Sequence, residues 1–232
     1  MRVKTVLFLI LVQAMWTGAT KQVDAQSASY PSMAPLAQYL MPEKDEIALA
    51  RSGAPKGVSD AAEVMVLTKD GYVAAVDGTN GFLCIVERAW ANETTRPDFW
   101  NPKMRGPNCF NAAAAKTYEQ LYLLKTRLVL EGKSKQEIAQ AIVAARDSKE
   151  LPALAPGAMC YMMSKEQYLN DVGKNWHPHL MFFVAGDVAK SWGADTPDSP
   201  LIAANNAEAR VTIFMMTVGK WSDGTPDATA GQ

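Results

Sequence analysis

The chain has 232 residues, 48% of them hydrophobic, 20% charged and 9% aromatic, with a formal net charge of −1. Those proportions exclude whole-chain disorder, collagen and coiled coil. A near balance of charge without a basic stripe speaks against nucleic acid or an anionic membrane surface as partner.

The first segment reads as a targeting signal rather than as structure. Arg2 and Lys4 precede a short apolar run from Val6 to Met15, and Val23-Asp24-Ala25 offers small residues where a signal peptidase cuts. Residues 1–25 are therefore the expected signal peptide. The apolar run is shorter than the ~20 residues a membrane-crossing helix needs, and no later stretch approaches that length. The expectation is an exported protein, periplasmic or secreted, without a membrane span. Residues 26–42, rich in Ser, Ala, Pro and Met, read as a flexible tail, and 43–232 as a single domain.

Glu43 to Arg51 is a short helix by its early acids and late Arg51, ended by Gly53, Pro55 and Gly57. Three strands follow, Glu63 to Thr68, Tyr72 to Val76 and Phe82 to Trp90. Glycine-containing turns join them in the pattern of an antiparallel meander. Ala91 to Phe110 is a polar, proline-rich loop, and a loop of that length is often functional. Asn111 is then an N-cap, with Tyr118, Leu121, Tyr122 and Leu128 at helical spacing up to Gly132. Ser134 and Glu137 form a capping box that opens a second helix carrying Ile138, Ala141, Ile142 and Ala145. Three more strands span Ala158 to Ser164, His179 to Val184, and Val211 to Val218.

Strands on both sides of a helix pair predict an α+β fold, an antiparallel sheet of five or six strands with a two-helix insertion packed on one face. The last two strands are apolar on both sides, which predicts that both faces are covered. Helices would take one face, and long loops, a partner chain or a ligand the other.

In an oxidising compartment, Cys84, Cys109 and Cys160 predict one disulfide and one thiol. Cys84–Cys109 is the expected bridge, because Cys109 stands in a loop with nothing else to fix it; closing about 25 residues is worth ~3 kcal/mol. Cys160, among apolar residues, reads as a buried small hydrophobe.

Candidate chemistry is sparse. The two histidines, His177 and His179, lie two apart next to Trp176 and would project from one face of a strand. With Glu87 as a third ligand, or Asp98 in its place, they would form an open site for zinc or another transition metal. A lone His-x-His lacks the longer spacing of specific zinc signatures, so a Pro178 turn with locally bonded rings is the plainer alternative. Met159, Met162, Met163, Met181, Met215 and Met216 suggest copper on one reading and adaptable core filler on the other. Glu87-Arg88 ends an apolar strand, so one of the two points inward. An inward carboxyl acts as an acid or base if its pKa is raised, or as a structural partner of Arg96 or Arg105. No nucleophile elbow, phosphate loop or dinucleotide fingerprint is present, and Ser164-Lys165 lacks the Ser-x-x-Lys spacing. Trp100, Asn101, Arg105, Asn108 and Trp176 fall in or beside loops, with Trp90 and Phe99 nearby. Such residues either hold a small organic ligand or plug the sheet themselves.

Several segments resemble a family of exported bacterial proteins of unknown function. They are Asn80 to Arg88, Asp98 to Phe110, Tyr161 to Lys165 and His177 to Phe183. The resemblance covers most of the chain from Glu43 onward and implies export; it supplies no activity, cofactor or catalytic residue. Three functional readings follow from the sequence. The first is small-ligand binding at the open sheet face under the Ala91 to Phe110 loop. The second is a metal-dependent enzyme on His177, His179 and Glu87. The third is a scaffold or interaction protein without a ligand, in which a homodimer would cover the apolar face.

Overall fold

A computed structural model describes residues 30–194 and 196–228, so the expected signal segment lies outside the described residues. In chain order the elements are α1 (Glu43–Arg51), α2 (Lys56–Ser59), β1 (Glu63–Thr68), β2 (Gly71–Val76), β3 (Leu83–Glu87), β4 (Gly106–Phe110), α3 (Ala112–Thr117), α4 (Glu119–Leu130), α5 (Lys135–Asp147), β5 (Met159–Met162), β6 (His179–Ala185), β7 (Ile202–Asn206) and β8 (Val211–Thr217). The strands form one sheet in the order β2-β1-β3-β4-β5-β6-β8-β7.

Among the described residues, the expectation of five or six antiparallel strands with a two-helix insertion is thus corrected to eight strands in one mixed sheet, with three helices, α3 to α5, between β4 and β5. Every neighbouring pair is antiparallel except β1 and β3, which run parallel. The parallel pair arises because the connection after β2 crosses beneath the start of β1 instead of reversing beside β2. Thr79 and Asn80 donate backbone hydrogen bonds to Ala61 O, and Asn80 Nδ2 reaches Val58 O at 2.7 Å. Gly78 makes the crossing possible, since a Cβ there would stand 2.1 Å from Glu63 N. The supposed loop Ala91 to Phe110 ends in β4, whose Gly106-Pro107-Asn108 start is poor strand sequence. The other missing strand, β7, is a short edge.

Side chains alternate between two layers. On one face, Ile85, Phe110, Cys160 and Phe183 share a core with Leu121, Tyr122 and Leu128 of α4 and Ile138 and Ile142 of α5. Asn111 caps α3 through Ala114 N, and Ser134 and Glu137 complete the capping box of α5. On the other face α1 covers Val64, Cys84, Val86 and Cys109 with Leu49 and Ala50. Cys84 and Cys109 lie directly opposite each other in the β3–β4 register and are disulfide-bonded. The pairing matches expectation, although Cys109 belongs to a strand and not to a loop. Cys160 is a free, buried thiol.

From Tyr30 onward, the segment read as a tail lies against the domain: Tyr39 is fully buried, and its hydroxyl donates to Trp100 O at 2.7 Å. At the end of β3, Arg88 is also fully buried. Its Nε donates to Tyr39 O at 2.8 Å and its Nη2 pairs with Glu46 Oε1 of α1 at 2.9 Å. Glu46 Oε1 accepts from Leu67 N as well. These bonds lock the strand end that carries Glu87.

Past α1 the second face is only partly covered. Trp192 stacks on Phe214 at 4.6 Å, but Phe182 remains 38% and Met216 46% exposed. The prediction that both faces of β6 and β8 are covered therefore holds only in part: Phe183 and Val211 are buried on the helix face, but Met181 and Ile213 there are only half-buried, and the other face is more open still. Among the described residues no helix is long and apolar enough to cross a membrane.

Candidate functional site

A cavity of about 380 Å³ opens on the helix-bearing face of the sheet, beyond the reach of α4 and α5. Its floor is built from five strands, each contributing side chains that the register directs to that face: Glu87 from β3, Asn108 and Phe110 from β4, Met162 from β5, Met181 from β6 and Ile213 from β8. Tyr118, between α3 and α4, supplies one wall, and Asn205 and Asn206 of β7 supply the other. Ala91, Asn92, Glu93, Arg96, Asp98 and Met104 form the rim together with Leu169 and Asn170. The site thus lies under the loop that the sequence marks as functional, but on the helix face and not on the opposite one.

The rim is tied down. Lys125 of α4, buried to 1% exposure, pairs with Glu208 Oε2 at 2.6 Å and donates to Asn92 O at 2.9 Å. Thr94 N and Oγ1 both donate to Glu208 Oε1, and Ala207 N donates to Glu93 Oε1. Lys135 Nζ donates to Arg96 O at 2.7 Å. Burial pushes the Glu208 carboxyl up, yet Lys125 and Thr94 outweigh it and hold the group below its ordinary range. These bonds connect the rim to α4, α5 and the β7–β8 turn, so the cavity is preformed rather than dependent on an arriving ligand.

Its polar floor is Glu87 beside Asn108. Asn108 Nδ2 donates to Glu87 Oε2, and Glu87 Oε1 takes no protein hydrogen bond among the described residues. Burial raises the Glu87 carboxyl to about 7, against the opposing effects of the Asn108 hydrogen bond and the Lys125 charge. Behind it, Glu119 at the start of α4 is fully buried, and among the described residues neither carboxyl oxygen has a hydrogen-bond partner. Burial first and the Glu87 charge second push its pKa well above the usual range. The Cys160 thiol is also pushed well up, by burial and by both carboxyls, and is inert as a nucleophile. Neither Arg96 nor Arg105 pairs with Glu87. Arg96 Nε meets Asp98 at 3.3 Å, and Arg105 laces Pro102 O, Met104 O and Gln38 O.

Of the residues expected to bind a ligand, Asn108 lines the cavity. The others are engaged elsewhere. Trp100 packs edge-on against Phe99 at 4.6 Å inside the core. Asn101 is 2% exposed and fixes the backbone of Lys103. Trp176 stands against both histidine rings.

His177, His179 and Glu87 do not assemble as a metal set; among the described residues no group of three or more His, Cys, Asp or Glu is placed to hold a metal ion. The cause is strand order, since β4 and β5 intervene between Glu87 and His179. Three steps across a sheet span about 14 Å. His177 Nδ1 pairs with Asp227 Oδ2 at 2.6 Å, and His179 Nδ1 bonds to His177 O at 2.7 Å. Burial lowers the pKa of His179. The methionines divide as well: Met162 and Met181 line the cavity, while Met216 lies exposed on the other face.

Tyr118 and Glu119 were missed because helical periodicity absorbed them. The available signal was an acid three residues before the apolar Tyr122. No family model, curated protein or solved structure matches the chain.

Proposed function

We propose that this is an exported binder of a small organic ligand held in the cavity above Glu87 and Asn108. The observation that carries the reading is convergence: six floor residues from five strands, four of them apolar, and a pinned polar rim surround a space of about 380 Å³ with Glu87 and Asn108 at its base. A concave space of that size, with an apolar floor and polar groups fixed at its base and rim, has the form of a small-molecule site. The Cys84–Cys109 disulfide supports export, because such bonds persist in oxidising compartments.

The test is thermal unfolding with a panel of small alcohols, amides, carboxylates and amines, on the wild type and on Met181→Trp, which fills the floor. A ligand at ten times its Kd stabilises by about 1.4 kcal/mol. The expected result is stabilisation of the wild type by at least one chemical class and of the variant by none. Equal responses in both proteins, or no response from any class, would contradict the reading.

A further inference from the structure

Resting on the cavity reading, we infer that the ligand is a small organic cation, an alkylammonium-type group whose N–H meets the free Glu87 Oε1 while its hydrocarbon part lies along Phe110, Met162 and Met181. Three features lead there. First, the polar group at the floor is a carboxyl that is 9% exposed and lines the cavity, with one oxygen satisfied by Asn108 and the other open. A buried carboxylate without a counter-charge is costly, and a bound cation supplies one.

Second, the remaining charges in the lining are predominantly acidic. Among the described residues of the lining, Glu87, Glu93 and Asp98 stand against Arg96; Arg96 is 57% exposed and turned to Asp98, and Glu93 accepts from Ala207 N. Lys125 lies close enough to influence Glu87 but is held by Glu208 and Asn92 O. An anionic ligand would meet Glu87 on the floor and Glu93 on the rim, and the cation of the described lining, Arg96, is already paired with Asp98. Third, Phe110 and Tyr118 present aromatic rings and Met162 and Met181 polarizable thioethers, a lining suited to a desolvated cation.

A cation also couples binding to a proton. The groups facing Glu87 are Asn108 on β4, Tyr118 at the α3–α4 junction, Glu119, Tyr122 and Lys125 on α4, Cys160 on β5, and Glu93, Arg96 and Asp98 on the rim. Burial keeps Glu87 half protonated near neutrality, whereas an ammonium selects the carboxylate. Binding then releases a proton, and affinity rises about tenfold from about pH 6 to about pH 8.

The experiment is isothermal titration of the full chain with n-butylammonium, 1-pentanol and butyrate at those two pH values. It uses the wild type, Glu87→Gln and Met181→Trp, with two buffers of different ionisation enthalpy. The expected result is butylammonium binding that strengthens about tenfold at the higher pH with buffer-dependent proton release. That binding is absent in Met181→Trp and reduced at least about tenfold in Glu87→Gln. Pentanol or butyrate binding as tightly as butylammonium, and lost in Met181→Trp, would leave the cavity reading intact and overturn the cation. Butylammonium binding that persists in Met181→Trp, or that ignores pH, would also overturn it. No binding by any of the three would remove the cation and count against the cavity. If Glu87→Gln fails to fold, the pH dependence and proton release of the wild type decide alone.

Discussion

Replacing Glu87 by Gln should make the protein more stable at neutral and alkaline pH, and the gain should vanish in acid. In the folded chain the carboxyl keeps its proton up to about 7, against an ordinary 4.5. As pH climbs through 4.5 the unfolded chain gives up this proton while the folded one retains it, so the contribution of Glu87 to stability falls until the folded group also ionises. At about 1.4 kcal/mol per pH unit the difference amounts to ~3 kcal/mol between about pH 4.5 and about pH 8. Gln is nearly isosteric, keeps an acceptor for Asn108 Nδ2 and cannot ionise. Asp171, held at about 2 chiefly by Tyr168 and Tyr30, and Asp223, at about 2 through Thr225, titrate in both proteins and cancel in the comparison. Urea unfolding of both proteins at several pH values between about 5 and about 8 measures the difference directly. A gap between variant and wild type that stays constant across that range would refute the claim that burial keeps this carboxyl neutral.

Other expectations rest on separate parts of the structure. Replacing Cys84 and Cys109 together by Ala should remove about 3 kcal/mol of stability, and reductant should bring the wild type to the same urea midpoint. Glu46→Gln leaves Arg88 buried without its counter-charge and should cost about 3–5 kcal/mol. In a cycle built from Glu46→Met, Arg88→Met and the double variant, the double should cost clearly less than the sum of the two singles. Because strand order keeps His177 and His179 apart from Glu87, His179→Ala should leave the metal content after dialysis against zinc at neutral pH unchanged, as measured by elemental analysis; loss of a stoichiometric metal in the variant would contradict that geometry.

Legibility in the sequence followed the range of the interactions involved. Helix caps are local, so Asn111 and the Ser134–Glu137 box mark α3 and α5 correctly from a few residues. Strand β4 was hidden because Gly106, Pro107 and Asn108 enter the sheet through pairing with β3 and not through intrinsic preference. The parallel β1–β3 pair depends on Gly78 passing under Glu63, a contact no periodicity reports. At the site, Glu87 was readable as an inward carboxyl and Asn108 as a loop amide. Their meeting with Tyr118, Met162 and Met181 depends on the register of five strands and was not readable. Trp100 and Asn101 misled because aromatic and amide residues in a loop serve equally well to fix that loop, and here they do so.

Methyl NMR with labelled methionines offers the most direct look at ligand entry into the cavity. Titration with n-butylammonium should move the Met104, Met162 and Met181 methyl signals in a saturable way and leave exposed Met216 in place. If those three signals stay still, or if Met216 moves in their stead, the ligand does not enter the space over Glu87 and Asn108, and the account is wrong.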